Sequence, residues 1–313
     1  MKQKKKGFTL VEMLIVIAII AVLGGVMLTQ FSGSTESALA TNCLNNMRIL
    51  STAVLAEASQ ENYYPAAGPF QYLDIDSNSE DYNKIIWHQG WIGQAEGNAM
   101  VSCYYDDELG QNQHYAITNG TIWRAVGGKR DAYVCPAHTK CCTRAKQPRP
   151  AWSYAMNSFF GWDYGKVAGV DGGRRGYGSG AFAFRYTANP KSRSRPAEKV
   201  LLFGEIPFAE NGVQVPKFST AAGAENDMVL QYDNDNGADS KANKAGDSAS
   251  EAIGFNHKVG NDYCAHVAFA DGHCEKLILP RGGDDDNLFD LTTWLCTGQE
   301  YTLNGGRYEK VSE

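Results

Sequence analysis

The sequence predicts an α+β protein: one long N-terminal helix packed on an antiparallel β-sheet body with long loops. Three observations point there. A long apolar run, Phe8–Thr29, is followed by apolar residues at helical spacing up to Pro65. Glycine (33) and tyrosine (16) are abundant among the 313 residues, a mix that suits a loop-rich, strand-containing body better than a helical bundle. Near the C-terminal end, Ala265–Ala270 and His273–Leu279 flank Asp271-Gly272, a dipeptide that favours hairpin turns.

The helix comes first. Phe8–Thr29 is apolar except at Glu12, and about 20 such residues cross a hydrocarbon core of roughly 30 Å. Lys2, Lys4, Lys5 and Lys6 precede it, which predicts a cytoplasmic N-terminus and an exported body. Cys43, Met47, Leu50, Val54 and Ala58 then repeat every three or four residues, one face of an amphipathic helix broadened by Leu44 and Leu55. Gly24-Gly25 and Ser32-Gly33-Ser34 are weak points, and Asn62-Tyr63-Tyr64-Pro65 ends the pattern. The predicted organisation is a leader at 1–7, a transmembrane half-helix at 8–30, an amphipathic half-helix at 31–62 and a globular body at 63–313.

Within the body, residues 66–130 read as loops with short strands, Tyr104–Asp107 and Ile117–Arg124 among them. Leu73–Asp81 reads as a polar, acidic, solvated loop and Val200–Glu205 as a short apolar strand. Residues 143–198 and 223–250 read as long loops; Gly172-Gly173-Arg174-Arg175-Gly176 lacks the spacing of a phosphate cradle. The hairpin is expected to turn on Asp271-Gly272 alone, with positive φ at Gly272. Phe269 then faces Cys274, and Val267, Phe269, Cys274 and Ile278 point to the core. Cys264 and Cys274 would lie roughly 17 Å apart along the strands, beyond the about 7 Å that a disulfide spans, and so are expected to be unbonded.

A net charge of −6 argues against a nucleic-acid binder. The eight cysteines, in an exported body, make disulfides the default, with connectivity open. Cys135, His138, Cys141 and Cys142 offer four metal-ligand types, but not as a paired C-x-x-C knuckle. Disulfides or structural thiols are the expectation there, and structural zinc the alternative. Asp233, Asp235 and Asp239 alternate like a calcium loop, yet an EF-hand's glycine and glutamate places hold Ala238 and Lys244, so a solvated acidic loop is expected and calcium is the alternative. His257, His266, Asp271 and His273 lie close in sequence, with no serine or activated cysteine set beside them by a motif; turn and edge roles are expected, and no catalytic residue is assigned.

Lys6-Gly7-Phe8-Thr9-Leu10-Val11-Glu12 and the apolar run after it resemble the prepilin cleavage and methylation segment of type IV pilins and type II secretion pseudopilins. A carboxylate at membrane depth is costly enough to be functional by default. The resemblance implies cleavage after Gly7 by a prepilin peptidase, N-methylation of Phe8, and an assembly role for Glu12. It further implies a non-enzymatic subunit of a type IV pilus or type II secretion-type filament, anchored in the inner membrane, with other pilin-like subunits as partners and no nucleic acid. Calcium in a C-terminal loop of some pseudopilins adds to the candidacy of Asp233, Asp235 and Asp239. A second resemblance runs through Thr41–Met47, Tyr63-Tyr64-Pro65, Gly120–Trp123, Tyr133–Pro136, Ser153–Asn157, His257 and Phe269–His273. In that order these are similar to landmarks of large pseudopilin-like proteins of planctomycetes and lentisphaerae, although the interval from His257 to Asp271 is longer here. The competing reading is a membrane-tethered binding module, an adhesin or carbohydrate binder, that uses the same export route; a tethered hydrolase has the least support.

Overall fold

A computed structural model describes residues 10–61, 64–68, 70–73, 78, 80, 85–93, 110–146, 149–157, 160, 197–210, 213–214, 229–230, 253–259, 262–279, 291–292, 294–296, 298, 300–304 and 307–311. Helix α1 (Leu10–Glu61) is followed by strands β1 (Phe70–Leu73) and β2 (Ile85–His88), helix α2 (Gly110–Asn119), a 3-10 turn at Arg130–Tyr133, and helix α3 (Pro136–Ala145). Strands β3 (Tyr154–Asn157), β4 (Leu201–Glu205), β5 (Ala209–Glu210), β6 (Val213–Gln214), β7 (Val229–Leu230), β8 (His257–Val259), β9 (Asp262–Phe269) and β10 (Cys274–Ile278) come next, and β11 (Tyr301–Asn304) and β12 (Arg307–Lys310) close the order.

The predicted N-terminal helix is present and continuous through both glycine-rich weak points. Its two halves meet different surroundings. From Leu10 to Val22 the apolar side chains stand exposed, Leu10 at 79% and Val22 at 67%. This stretch is about 20 Å long, and among the described residues no helix is long and apolar enough to cross a membrane; the span expected at 8–30 extends beyond the stretch at both ends. Further along, Cys43, Met47, Leu50, Val54 and Ala58 are buried while Ile49 is exposed, so the spacing read from the sequence marks the face that the body covers. The 3-10 turn, α3, β8 and β9 pack on that face.

The central sheet runs β10-β9-β4-β3-β7, with β8 paired to β9 alongside β4. It is antiparallel except at its β3–β7 edge, where Met156 pairs with Val229 and Asn157 with Leu230 in parallel. Strand β4 lies where the short apolar strand Val200–Glu205 was expected, and it is buried along its whole length, Glu205 included. The candidate strand Ile117–Arg124 is not one: Ile117 lies in α2, and 121–128 form turns that bury Ile122 and Val126. Tyr104–Asp107 lies outside the described residues.

The late hairpin exists, with φ of +92° at Gly272, but its register is shifted by one. Cys274 pairs with Ala268 and Ile278 with Cys264. The Gly272 amide donates to the Phe269 carbonyl and the Phe269 amide to the His273 carbonyl, both at 2.9 Å. The loop is therefore three residues, Ala270-Asp271-Gly272, ending in a left-handed glycine, and not the two-residue turn expected. A one-residue slip exchanges faces: Val267 and Phe269 are buried as expected, but Cys274 and Ile278 are half-buried and Leu277 takes the core position. Cys264 and Cys274 are unbonded, as are Cys43, Cys135, Cys141, Cys142 and Cys296, so no disulfide joins the described cysteines.

Candidate functional site

Beneath α1 the chain gathers a buried polar cluster. Strand β9 has a break along one edge, where β4 pairs with Val267–Phe269 and β8 with Asp262–Cys264. His266 sits at the break, and its amide donates to Glu205 Oε1 at 3.2 Å in place of a ladder partner. The same oxygen lies 2.7 Å from His266 Nδ1, 3.1 Å from His257 Nε2, and accepts from the Cys43 thiol at 2.8 Å. Cys135 Sγ is 3.5 Å from His257 Nε2. The Tyr154 hydroxyl donates to Cys43 Sγ at 3.3 Å. Cys43, Cys135, Tyr154, Glu205 and His257 are fully buried, and His266 nearly so.

Each side chain is placed by local structure. Cys43 lies on the buried face of α1. Asn46, one turn further, donates to the carbonyls of Asp131 and Val134 and so ties α1 to the segment before Cys135. Cys135 is the N-cap of α3, with Pro136 in the first turn where a missing amide hydrogen costs nothing. Glu205 ends β4. Its second oxygen accepts from Asn256 Nδ2 at 3.1 Å, and its carbonyl accepts from the Gly254 amide at 2.8 Å, which sets the entry to β8 and His257.

The electrostatics follow from burial and proximity. Burial alone would protonate Glu205, but His257 and His266 hold its carboxyl well below the usual carboxylate range. Burial opposes a charge on His257, yet the Glu205 carboxylate and the Cys135 contact raise it to about 11. Burial, with contacts to Cys135 and Glu205, pushes the Cys43 thiol up. For Cys135, burial is outweighed by hydrogen bonds from Cys43 and His257, and its thiol is drawn down to about 6. The cluster therefore sets the Glu205 carboxyl and the Cys135 thiol below their ordinary ranges, and His257 and the Cys43 thiol above theirs. A cysteine–histidine pair at a helix N-terminus is a nucleophile's arrangement. Here, however, the pair is closed to solvent, and His257 meets both Cys135 and Glu205 through Nε2, while its buried Nδ1 has no hydrogen-bond partner among the described residues. Cys43, Glu205, His257 and His266 also place one ligand atom each within 4.8 Å of one another, a set able to hold a metal ion.

The sequence-predicted residues distribute unevenly around this site. His257 and His266 occupy the core and not the turn or edge positions expected; Asp271 and His273 do belong to the turn, 2.5 Å apart and part-exposed. The run Cys135, His138, Cys141, Cys142 is dispersed by α3: Cys135 faces His257 and His138 meets Ser153 at 2.9 Å, so these four are not a ligand set. Glu205 carried no signal, since it closes an apolar strand. Gly7, Phe8, Asp233, Asp235 and Asp239 lie outside the described residues, and Glu12 lies in the first turn of α1.

Residues 2–28 match the family model of the prokaryotic N-terminal methylation motif. The N-terminus is that of a prepilin-type protein. The motif spans the basic leader, Gly7, Phe8, Glu12 and the apolar front of α1, the features on which the resemblance to type IV pilins and pseudopilins rested. No curated protein and no solved structure matches the chain. The prepilin-type assignment therefore belongs to the N-terminus, and the buried cluster lies well beyond the matched segment.

Proposed function

We propose that the chain is a non-enzymatic pilin- or pseudopilin-like subunit. It is cleaved after Gly7, N-methylated at Phe8, and assembled through α1 into a type IV pilus or type II secretion-type filament. In this reading the unassembled subunit is held in the inner membrane with its N-terminus cytoplasmic and its body periplasmic or extracellular. Its partners are the prepilin peptidase and other pilin-like subunits.

The observation that carries the reading is the contrast along α1. The body covers the face from Cys43 to Ala58, whereas Leu10–Val22 exposes apolar side chains on every side. Such a stretch is stable only against lipid or against neighbouring helices. Glu12 gives the packing a register. Removing the leader frees a charged amine at Phe8, methylation keeps the charge, and in a straight helix a four-residue separation from Glu12 would amount to about 6 Å along the axis. A neighbouring subunit shifted by that distance pairs its amine with this carboxylate, so that neither charge is left alone in an apolar setting. The non-enzymatic part of the reading is supported by the closed cluster, in which Cys135 is fully buried.

The test compares mature N-termini by mass spectrometry and fibre yield after shearing. Glu12→Leu should be cleaved and methylated normally, yet give few fibres. Gly7→Leu should keep its lysine leader. Normal assembly of Glu12→Leu would refute the pairing mechanism, and an unprocessed wild-type chain would refute the subunit reading.

A further inference from the structure

The buried cluster is more than a set of hydrogen bonds. Three side-chain groups, Cys43 Sγ, His257 Nε2 and His266 Nδ1, and one backbone amide converge on a single oxygen of Glu205 at 2.7–3.2 Å. A carboxylate oxygen has two lone pairs, so four donors exceed what it can accept well. His257 reinforces the point: its buried Nδ1 has no hydrogen-bond partner among the described residues, and its polar contacts there run through Nε2. Side chains that crowd donors around one point present, once the side-chain protons leave, a set of inward-facing lone pairs.

We propose that Cys43, Glu205, His257 and His266 form a structural zinc site that fastens the N-terminal helix to the sheet. The donor set is one thiolate, two imidazole nitrogens and one carboxylate oxygen, which suits a borderline-soft, redox-inert ion in a closed four-coordinate site. Zinc bonds of about 2.0–2.3 Å give a tetrahedron with edges of about 3.3–3.8 Å, and the four ligand atoms already lie within 4.8 Å of one another. Admitting the ion requires Glu205 Oε1 to withdraw from Cys43, His257 and His266, to all of which it is closer than a tetrahedral edge; Asn256 already holds the other oxygen at 3.1 Å and anchors that rotation. Binding releases protons, one from the Cys43 thiol and one from each imidazole nitrogen that bears one, and leaves the carboxylate ionised. Cys135, 3.5 Å from His257 Nε2, lies beside the ligand set and remains a thiol or thiolate neighbour. The consequence is mechanical. One ion joins α1 to β4, β8 and β9, linking residue 43 to residues more than 160 positions away, and so sets the angle at which the helix leaves the body. This inference stands independently of the filament reading, because metal content is measured without assembly.

The test uses the full-length protein, purified in mild detergent, stripped with a chelator and reloaded with zinc chloride or cobalt chloride. The expected results are one zinc per chain, a thiolate-to-cobalt charge-transfer band in the cobalt form, and slowed alkylation of Cys43 in the zinc form. Cys43→Ala and His266→Ala should each weaken zinc binding at least a hundredfold, whereas Cys274→Ser should bind as wild type. Because the first two variants are core changes, the wild-type cobalt spectrum and alkylation rate decide the matter by themselves. Reloaded wild-type protein with no bound metal, a cobalt form without thiolate absorption, or a Cys43–Cys135 disulfide in the isolated protein would each overturn the proposal.

Discussion

His138 is the residue whose acid response follows most directly from its setting. Its ring is fully buried, stacks on Phe208 at a centroid distance of 4.1 Å, and meets Ser153 Oγ through Nδ1 at 2.9 Å. Burial lowers its pKa to about 3, with the Glu205 carboxylate opposing in part. In the unfolded chain a histidine titrates near 6.5. Above pH 6.5 both states are neutral at this ring and stability is unaffected. As the pH falls from 6.5 towards 3, the unfolded chain takes up a proton that the folded ring refuses, and stability is lost. The slope approaches about 1.4 kcal/mol per pH unit once the unfolded ring is mostly charged, so the loss between pH 6.5 and 4.5 is about 2.3 kcal/mol. His138→Gln keeps a polar group towards Ser153 and removes the titration. It should lower stability by a constant amount at neutral pH, through the lost stacking, and then fall less steeply with acid than wild type. Urea unfolding of full-length protein, followed by tryptophan fluorescence at half-unit steps from pH 7.5 to 4.5, isolates the difference, because every other titrating group is common to both chains. If the two curves stay parallel over that range, His138 is not held neutral in the folded state and the reasoning fails.

Three further outcomes follow from packing. Leu50→Ala on the covered face of α1 should cost about 2–5 kcal/mol, whereas Ile49→Ala, next to it and 43% exposed, should change stability by less than about 0.5 kcal/mol; equal effects in urea unfolding would show that the body does not cover this face. Gly254→Ala would set its Cβ 2.5 Å from the Ile206 carbonyl oxygen, where backbone must move; it should cost about 1–3 kcal/mol and speed alkylation of Cys43 by loosening the Glu205 segment, and unchanged stability would contradict that close approach. Gly272→Ala places a side chain at φ +92° and should cost about 1–3 kcal/mol from backbone strain. The flexible Leu55 methyl that the new Cβ would meet can turn aside, so Leu55→Ala in the same chain should not restore the melting temperature.

The elements legible in the sequence were those carried by local pattern. The N-terminal motif is read from consecutive residues, and the face from Cys43 to Ala58 from helical period. Strand Leu201–Glu205 and the Asp271-Gly272 hairpin were visible for the same reason, since β-branched and apolar runs and turn dipeptides act over a few residues. Where local signals were ambiguous, tertiary packing chose. Ile117 became helical because α2 buries it against the core. The hairpin took Ala270 into the loop beside Asp271-Gly272, which shifted every partner by one while Gly272 kept the left-handed conformation that either turn requires.

What the sequence by itself determined about this protein is its N-terminal processing segment, the extent of α1, and the side of that helix on which the body would lie. The cluster was decided only in three dimensions. Cys43, Cys135, Glu205, His257 and His266 are scattered over more than 200 positions, and no spacing rule connects a helix face, a helix N-cap, a strand end and two neighbouring strands. Glu205 least of all announced itself. A carboxylate closing an apolar strand reads as the first solvated residue after it, and only the break in pairing beside β9, with two imidazoles and a thiol turned towards it, makes its burial tolerable.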